Sequence, residues 1–132
     1  MNQRGFATLE VILMVMVIGI LASIAVPRFG NVTAAANTAK IQADLSTIDT
    51  AIAIAVMDGE DISGNTKVSD LSKYLKDASD IKPPTSGKCY IGGDTAVEIP
   101  GDGEYTIEEI DSEYRAVLGT KNTSGKFYKK ST

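Results

Sequence analysis

The chain opens with a stretch in which polar side chains almost vanish. From residue 6 to residue 26 the polar members are Thr8, Glu10 and Ser23, and Gly19 is the one helix-weakening position. The remainder is mostly Ile, Leu, Val, Met and Ala without strand-like alternation, so it reads as helix. At about 1.5 Å per residue the stretch reaches roughly 31 Å, enough to cross the hydrocarbon core of a bilayer.

Past Gly30 polar positions return with a helical rhythm. Ala34, Thr38, Ile41, Leu45, Ile48, Ile52 and Ala55 recur at steps of four and three, an apolar seam on one face. Asn31 is the expected N-cap of this continuation and Gly59 the residue just past its end. Together the two stretches predict one long helix from Phe6 to about Asp58, its first half suited to a membrane and its second to a domain core. Lys40 and Asp44 stand four apart, with the positive residue first, the weaker orientation. The seam is short and lacks the flanking charges of a coiled coil, so packing on a sheet of the same chain is expected.

The remainder divides in two. Residues 59–87 read as a variable loop that starts in the acidic run DGEDISGN at 58–65. That run invites calcium, but with Asp58 or Asp61 as the first position the sixth is Ser63 or Thr66 rather than glycine and the twelfth is not glutamate, so a solvated loop is expected. Within the loop residues 68–78 predict a short amphipathic helix carrying Leu71, Tyr74 and Leu75, capped near Ser69 and closed off by Pro83 and Pro84. From residue 88 the period changes to two: 88–91, 95–99, 104–107 and 114–118 predict strands. They are separated by Gly92-Gly93-Asp94, by Pro100-Gly101-Asp102-Gly103 and by a polar link at 109–112. Lys126 to Lys129 are expected to add an edge strand. The class is α+β: a long helix on three or four antiparallel strands within 88–130.

Composition narrows the chemistry. With 13 Lys and Arg against 17 Asp and Glu the net charge is −4, which argues against a dedicated nucleic-acid binder. No histidine is present and Cys89 is the one cysteine. An internal disulfide, a Cys/His zinc site and a Ser-His-Asp triad are therefore excluded, and no metal, cofactor or catalytic residue is expected. Cys89 is expected to face the core. Phe127 and Tyr128 are interleaved with Lys126, Lys129 and Lys130, a pattern that suits single-stranded nucleic acid but is more commonly an edge strand guarded by lysines. Asn122-Thr123-Ser124 fits a glycosylation sequon.

The residues alone leave the N-terminus open. A secretory signal peptide would be cut after Ser23-Ile24-Ala25 or Ala34-Ala35-Ala36, and a plain single-span anchor would not be cut at all. Arg4 and the N-terminal amine compete with Arg28 and Lys40 over orientation, and the contest is close. Glu10 strains both readings, because a carboxylate near the start of a membrane helix is costly and asks for a partner.

Residues 1–5, ending in Gly5, followed by Phe6-Ala7-Thr8-Leu9-Glu10-Val11, resemble the processing motif of type IV prepilins and type II secretion pseudopilins. The likeness continues through Gly19-Ile20-Leu21-Ala22-Ser23-Ile24-Ala25-Val26-Pro27 and fades after Phe29. One departure is that Ala7 and Thr8 stand where the family often has Thr and Leu; the place of Glu10 is unaffected. The resemblance implies a leader at 1–5, a transmembrane and filament-core helix at 6–29 and a globular head at 30–132. It implies cleavage between Gly5 and Phe6 by a prepilin peptidase, N-methylation of Phe6, and assembly through Glu10, Gly19 and Pro27.

In such a filament Glu10 would neutralise the Phe6 amine of a neighbouring subunit, and helix near Pro27 would bend or unwind. The implied partners are further copies of the chain, the membrane, the peptidase and methyltransferase, and an inner-membrane assembly platform. The implied place is the cytoplasmic membrane, head outside, and then the cell surface. The alternative within the resemblance is a major pseudopilin of a secretion or DNA-uptake system. Many type IVa pilins close a C-terminal loop with a disulfide that Cys89 alone cannot form. The calcium loop of major pseudopilins is not matched either, since residues 119–132 contain no acid.

Overall fold

The computed structural model describes residues 3–131, and all of their side chains except those of 25–29. The helix α1 spans Gln3–Met57, 55 residues. Helical backbone continues through Pro27, Gly30 and Asn31, so Asn31 caps nothing, against expectation. Pro27 withdraws a single amide donor, and the flanking Ala, Val and Thr residues keep the helix going. The chain divides into two compact units, Met1–Val32 and Thr33–Thr132. The described residues of the first are all helical.

The second unit is built on the predicted seam. Ala34, Thr38, Ile41, Leu45, Ile48, Ile52 and Ala55 are all buried, and Ala51 joins them. Polar clamps on the flanks of the seam hold the rest of the unit in place. Thr38 Oγ1 donates to the Ala34 carbonyl (2.7 Å) and accepts the Tyr90 amide (2.8 Å). Asn37 Nδ2 donates to the carbonyls of Ser86 and Lys88. Asp49 accepts from Arg115 Nη2 (3.0 Å) and from the Ala116 amide (2.7 Å). The helix ends at Gly59 as expected: with φ at 86°, its amide bonds the Val56 carbonyl and the Glu60 amide bonds that of Ala55. That is the paired closure for which a left-handed glycine is suited.

The loop departs from the prediction in form and keeps its spacing. Only Val68–Leu71 is helical, as one 3₁₀ turn, where a helix over 68–78 was expected. Its N-cap is Lys67, whose amide donates to Oδ2 of Asp70 in the third helical position (2.9 Å), and not Ser69. Ser and Asp side chains crowd this segment and compete for its backbone, and Asp77 adopts φ of 57°. Val68, Leu71, Leu75 and Ala78 are nonetheless buried.

The strands are fewer than expected, and the first two are shorter. β1 (Lys88–Cys89) pairs antiparallel with β2 (Val97–Glu98), and β3 (Thr106–Ile110) with β4 (Glu113–Val117). These are two separate two-stranded sheets rather than one of three or four strands. Pro100, Gly101 and Gly103 intervene between β2 and β3, and both glycines have positive φ, which ends the ladder. The expected polar link at 109–112 is strand as far as Ile110. Asp111 and Ser112 then turn the chain alone, with φ of 52° and 68°, the signature of a two-residue type I′ hairpin. The final strand is also replaced: Ser124–Lys126 is a 3₁₀ turn, and Lys129 makes an isolated parallel bridge to Gly93. Phe127, fully buried, draws the segment inward.

Candidate functional site

Residues singled out in the sequence fall on the first unit, where α1 has no other element to pack on. Gln3–Ile24 has a mean hydropathy of 2.4 and is long and apolar enough to cross a membrane. Its large side chains are exposed around the whole circumference, Phe6 at 58% and Ile18 at 65%. For a globular chain in water such exposure is untenable over this area, so the covering surface lies outside this unit.

From Phe6 to Ile24 three polar side chains interrupt the stretch. Thr8 Oγ1 donates to the Arg4 carbonyl (2.9 Å) and Ser23 Oγ to that of Ile20 (2.7 Å). Both hydroxyls are satisfied within the helix itself. No described residue gives Glu10 a hydrogen bond or an ion pair. Glu10 sits one turn after Phe6, and Leu13, Met14, Val17 and Ile18 flank it along a shallow apolar depression. A side chain added at Gly5 or Gly19 would meet no described group beyond the helix's own backbone within 4 Å. Packing within the chain therefore explains neither glycine, and each weakens the helix by about 1 kcal/mol relative to alanine. The backbone at Pro27 is helical; its side chain lies outside those described. Gly5, Phe6, Glu10 and Gly19 are thus brought onto one exposed helix, and no folded pocket unites them.

The second unit holds polar groups that the sequence reading did not single out as site residues. Asp44 takes Lys40 on one side and the buried Tyr105 hydroxyl (2.7 Å) on the other. Burial, then the bond to Asp44, pushes the Tyr105 phenol far above its usual range. Asp58 accepts from Lys73 (2.7 Å) and Tyr74 (2.6 Å), which holds its carboxyl below the usual value. Burial raises the Cys89 thiol, which suits an inert core residue. Asp44 was marked in the sequence by its spacing from Lys40, whereas Asp49 was marked only by its place on the flank of the apolar seam. Among the described residues no group of three His, Cys, Asp or Glu is placed to hold a metal ion.

No family model matches the chain, and no solved structure matches it significantly. Curated relatives do. A fimbrial protein of Pseudomonas aeruginosa is 32% identical over 122 residues, covering 92% of this chain and 72% of the relative. The chain belongs to the type IV pilin family. The type IV narrow pilus major component PilA5 of Thermus thermophilus is 39% identical to the pilin over 62 residues, 47% of this chain and 53% of the relative. A type IV major fimbrial protein FimA of Dichelobacter nodosus is 29% identical over 110 residues, 80% and 61% of the two chains. The pilin is accordingly a structural subunit and not an enzyme.

Proposed function

We propose that the pilin is cut between Gly5 and Phe6, methylated at the new amine, and polymerised through α1 into a surface filament. The observation that carries this reading is the lone carboxylate of Glu10 on a helix whose apolar side chains are exposed on every side. Lipid can cover such a helix before assembly, with the head of residues 30–132 outside the membrane, and neighbouring helices can cover it afterwards. In the filament the freed amine of Phe6 on one subunit and Glu10 on another neutralise each other where water is scarce. Pairing offsets the cost of burying both charges and fixes the axial register. Gly19 lets a neighbouring backbone approach closely, and Pro27, which leaves the Ser23 carbonyl without its helical donor, marks where the helix can yield on entry.

Two measurements test this. Mass spectrometry of the purified protein should find a chain starting at Phe6 with one added methyl; a start at Val26 or Asn37 would establish a signal peptide instead. Glu10→Ala should leave the protein cleaved and in the membrane fraction yet without filaments in electron micrographs of sheared cells. Glu10→Gln should fail nearly as badly, because it keeps size and hydrogen bonding but leaves the neighbour's amine unpaired. Normal filaments from Glu10→Ala cells would remove the pairing from the mechanism.

A further inference from the structure

The charges of the second unit are sorted along the chain. Residues 98–113 hold seven acids and no base, whereas 114–132 hold five bases and no acid. They are also sorted in space. The β3–β4 turn brings Ser112 and Glu113 beside Val56 and Met57, at the C-terminal end of α1. Asp111 and Glu113 are exposed on that turn, and the exposed Asp58 and Glu60 follow Met57 in the chain. Two bases on that side are already committed, Lys73 to Asp58 (2.7 Å) and Glu60 (3.9 Å) and Arg115 to Asp49 (3.0 Å). The lysine segment lies at the other end of the unit. Lys129 Nζ stands over the ring of Tyr90, whose amide is bonded to Thr38. From Thr38 to Met57 the helix rises on the order of 28 Å.

The lysines are held in place by their backbone. The Tyr128 carbonyl accepts the Gly92 amide (3.0 Å), the Lys130 amide donates to the Gly93 carbonyl (2.9 Å), and Phe127 anchors the segment in the core. Lys126, Lys129 and Lys130 are exposed, and no described carboxylate pairs with them. The acids on that side are Asp94, beside Gly93, and Glu98, which lies opposite Lys88 in the β1–β2 ladder. None of the seven acids of 98–113 has an ion pair among the described residues either.

We infer that the head is an electrostatic donor–acceptor unit: Lys126, Lys129 and Lys130 of one copy dock against Asp111 and Glu113 at the acidic end of the next. This rests on the filament reading above and supplies its head-to-head contact. A patch that recognises a different patch on an identical molecule makes a heterologous contact, and such contacts propagate without closing when the rotation does not return to the start. A polyanion is the weaker occupant for the lysines, since each head also presents the acidic end that repels it. Complementary charge of this kind sets register and rejects wrong orientations.

The test is charge reversal in the full-length chain in cells that assemble filaments. Lys129→Glu with Lys130→Glu, and separately Asp111→Lys with Glu113→Lys, should each lower sheared-filament yield by about tenfold or more. All four substitutions together should restore it to within roughly threefold, since each end again meets its opposite. Cys89 should stay closed to thiol reagents in detergent for all three variants, which shows that the heads are folded. Undiminished filaments in both pairs, or no recovery in the combined variant, overturns the inference while leaving the filament intact. Filaments unchanged but retention of single-stranded DNA lost in Lys129→Glu/Lys130→Glu assigns the lysines to nucleic acid and overturns it too. Wild-type cells without any filament overturn the filament reading, and this one with it.

Discussion

Two halves of one helix use apolar side chains in opposite ways. In Gln3–Ile24 they occupy every face and all remain exposed, whereas in Thr33–Met57 the buried ones keep mainly to one seam inside the second unit. The first half is saturated with hydrophobic residues and makes no tertiary contact with an element of its own unit. The second half alternates, and its flanks carry hydroxyl, amide and carboxylate groups that clamp strands and turns. A periodic seam is the mark of a helix completed by its own chain; uniform hydrophobicity is the mark of one completed by something else.

The contrast is broken most severely by substitutions in the seam. Leu45→Ala should cost about 3 kcal/mol and lower the melting temperature of the detergent-solubilised protein by more than about ten degrees. Leu13→Ala, the same chemical change in the first half, should leave that melt where it was. Equal effects in circular-dichroism melts would mean that the two halves are not differently satisfied. Next comes the clamp at Asp49. Asp49→Ala strands the Ala116 amide and Arg115, and should cost about 2 kcal/mol in denaturant titrations. No change in the midpoint would show the seam to suffice without its flanks.

Tyr105 gives a smaller effect with a pH signature. Its folded pKa is raised, so the folded state keeps the phenolic proton after the unfolded chain has lost it. Stability from this group is complete below about pH 10 and is lost as pH rises beyond it. Tyr105→Phe should cost about 1 kcal/mol at neutral pH and make the alkaline decline shallower; an unchanged slope would place the ionisation elsewhere. The smallest effect belongs to Asp58, whose lowered pKa comes from exposed partners, Lys73 first. Asp58→Asn should lower the neutral-pH melt only slightly and flatten the acid limb by the same small amount, because this contribution is present above the usual carboxylate range and fades below it. A clear loss at neutral pH would show the loop to matter more than its exposure allows.

Much of this was legible before any coordinates. The long helix, its seven-residue seam, the glycine that ends it and the core place of Cys89 follow from spacing and residue type. What the sequence concealed was local. Asp111-Ser112 lacks the glycine by which such hairpin turns are usually recognised, so β3 was read too short and the link too long. The segment after Val68 has helical spacing but too many Ser and Asp residues to stay helical. Phe127 looked like one member of an alternating strand, yet its burial bends the backbone away from strand geometry. On the first unit Glu10 stood out at once, because one carboxylate among some twenty apolar residues is costly in any solvent except one that supplies its counter-charge.

One feature of the loop has a practical side. Gly59 and Gly87 both adopt left-handed backbone, and a side chain at Gly87 would strike Asn37 Nδ2 at 2.9 Å. The two ends of the loop are therefore fixed points, while between them Ser63 and Thr66 close a turn in which a side chain added at Gly64 would meet open space. Surface loops tolerate insertion at small cost when their ends stay in place. A short epitope or dye-reactive peptide inserted between Gly64 and Asn65 would leave Ile62 and Val68 in the core and mark every subunit at the same height. A filament of such subunits would carry a regularly spaced ruler along its length, readable by light or electron microscopy.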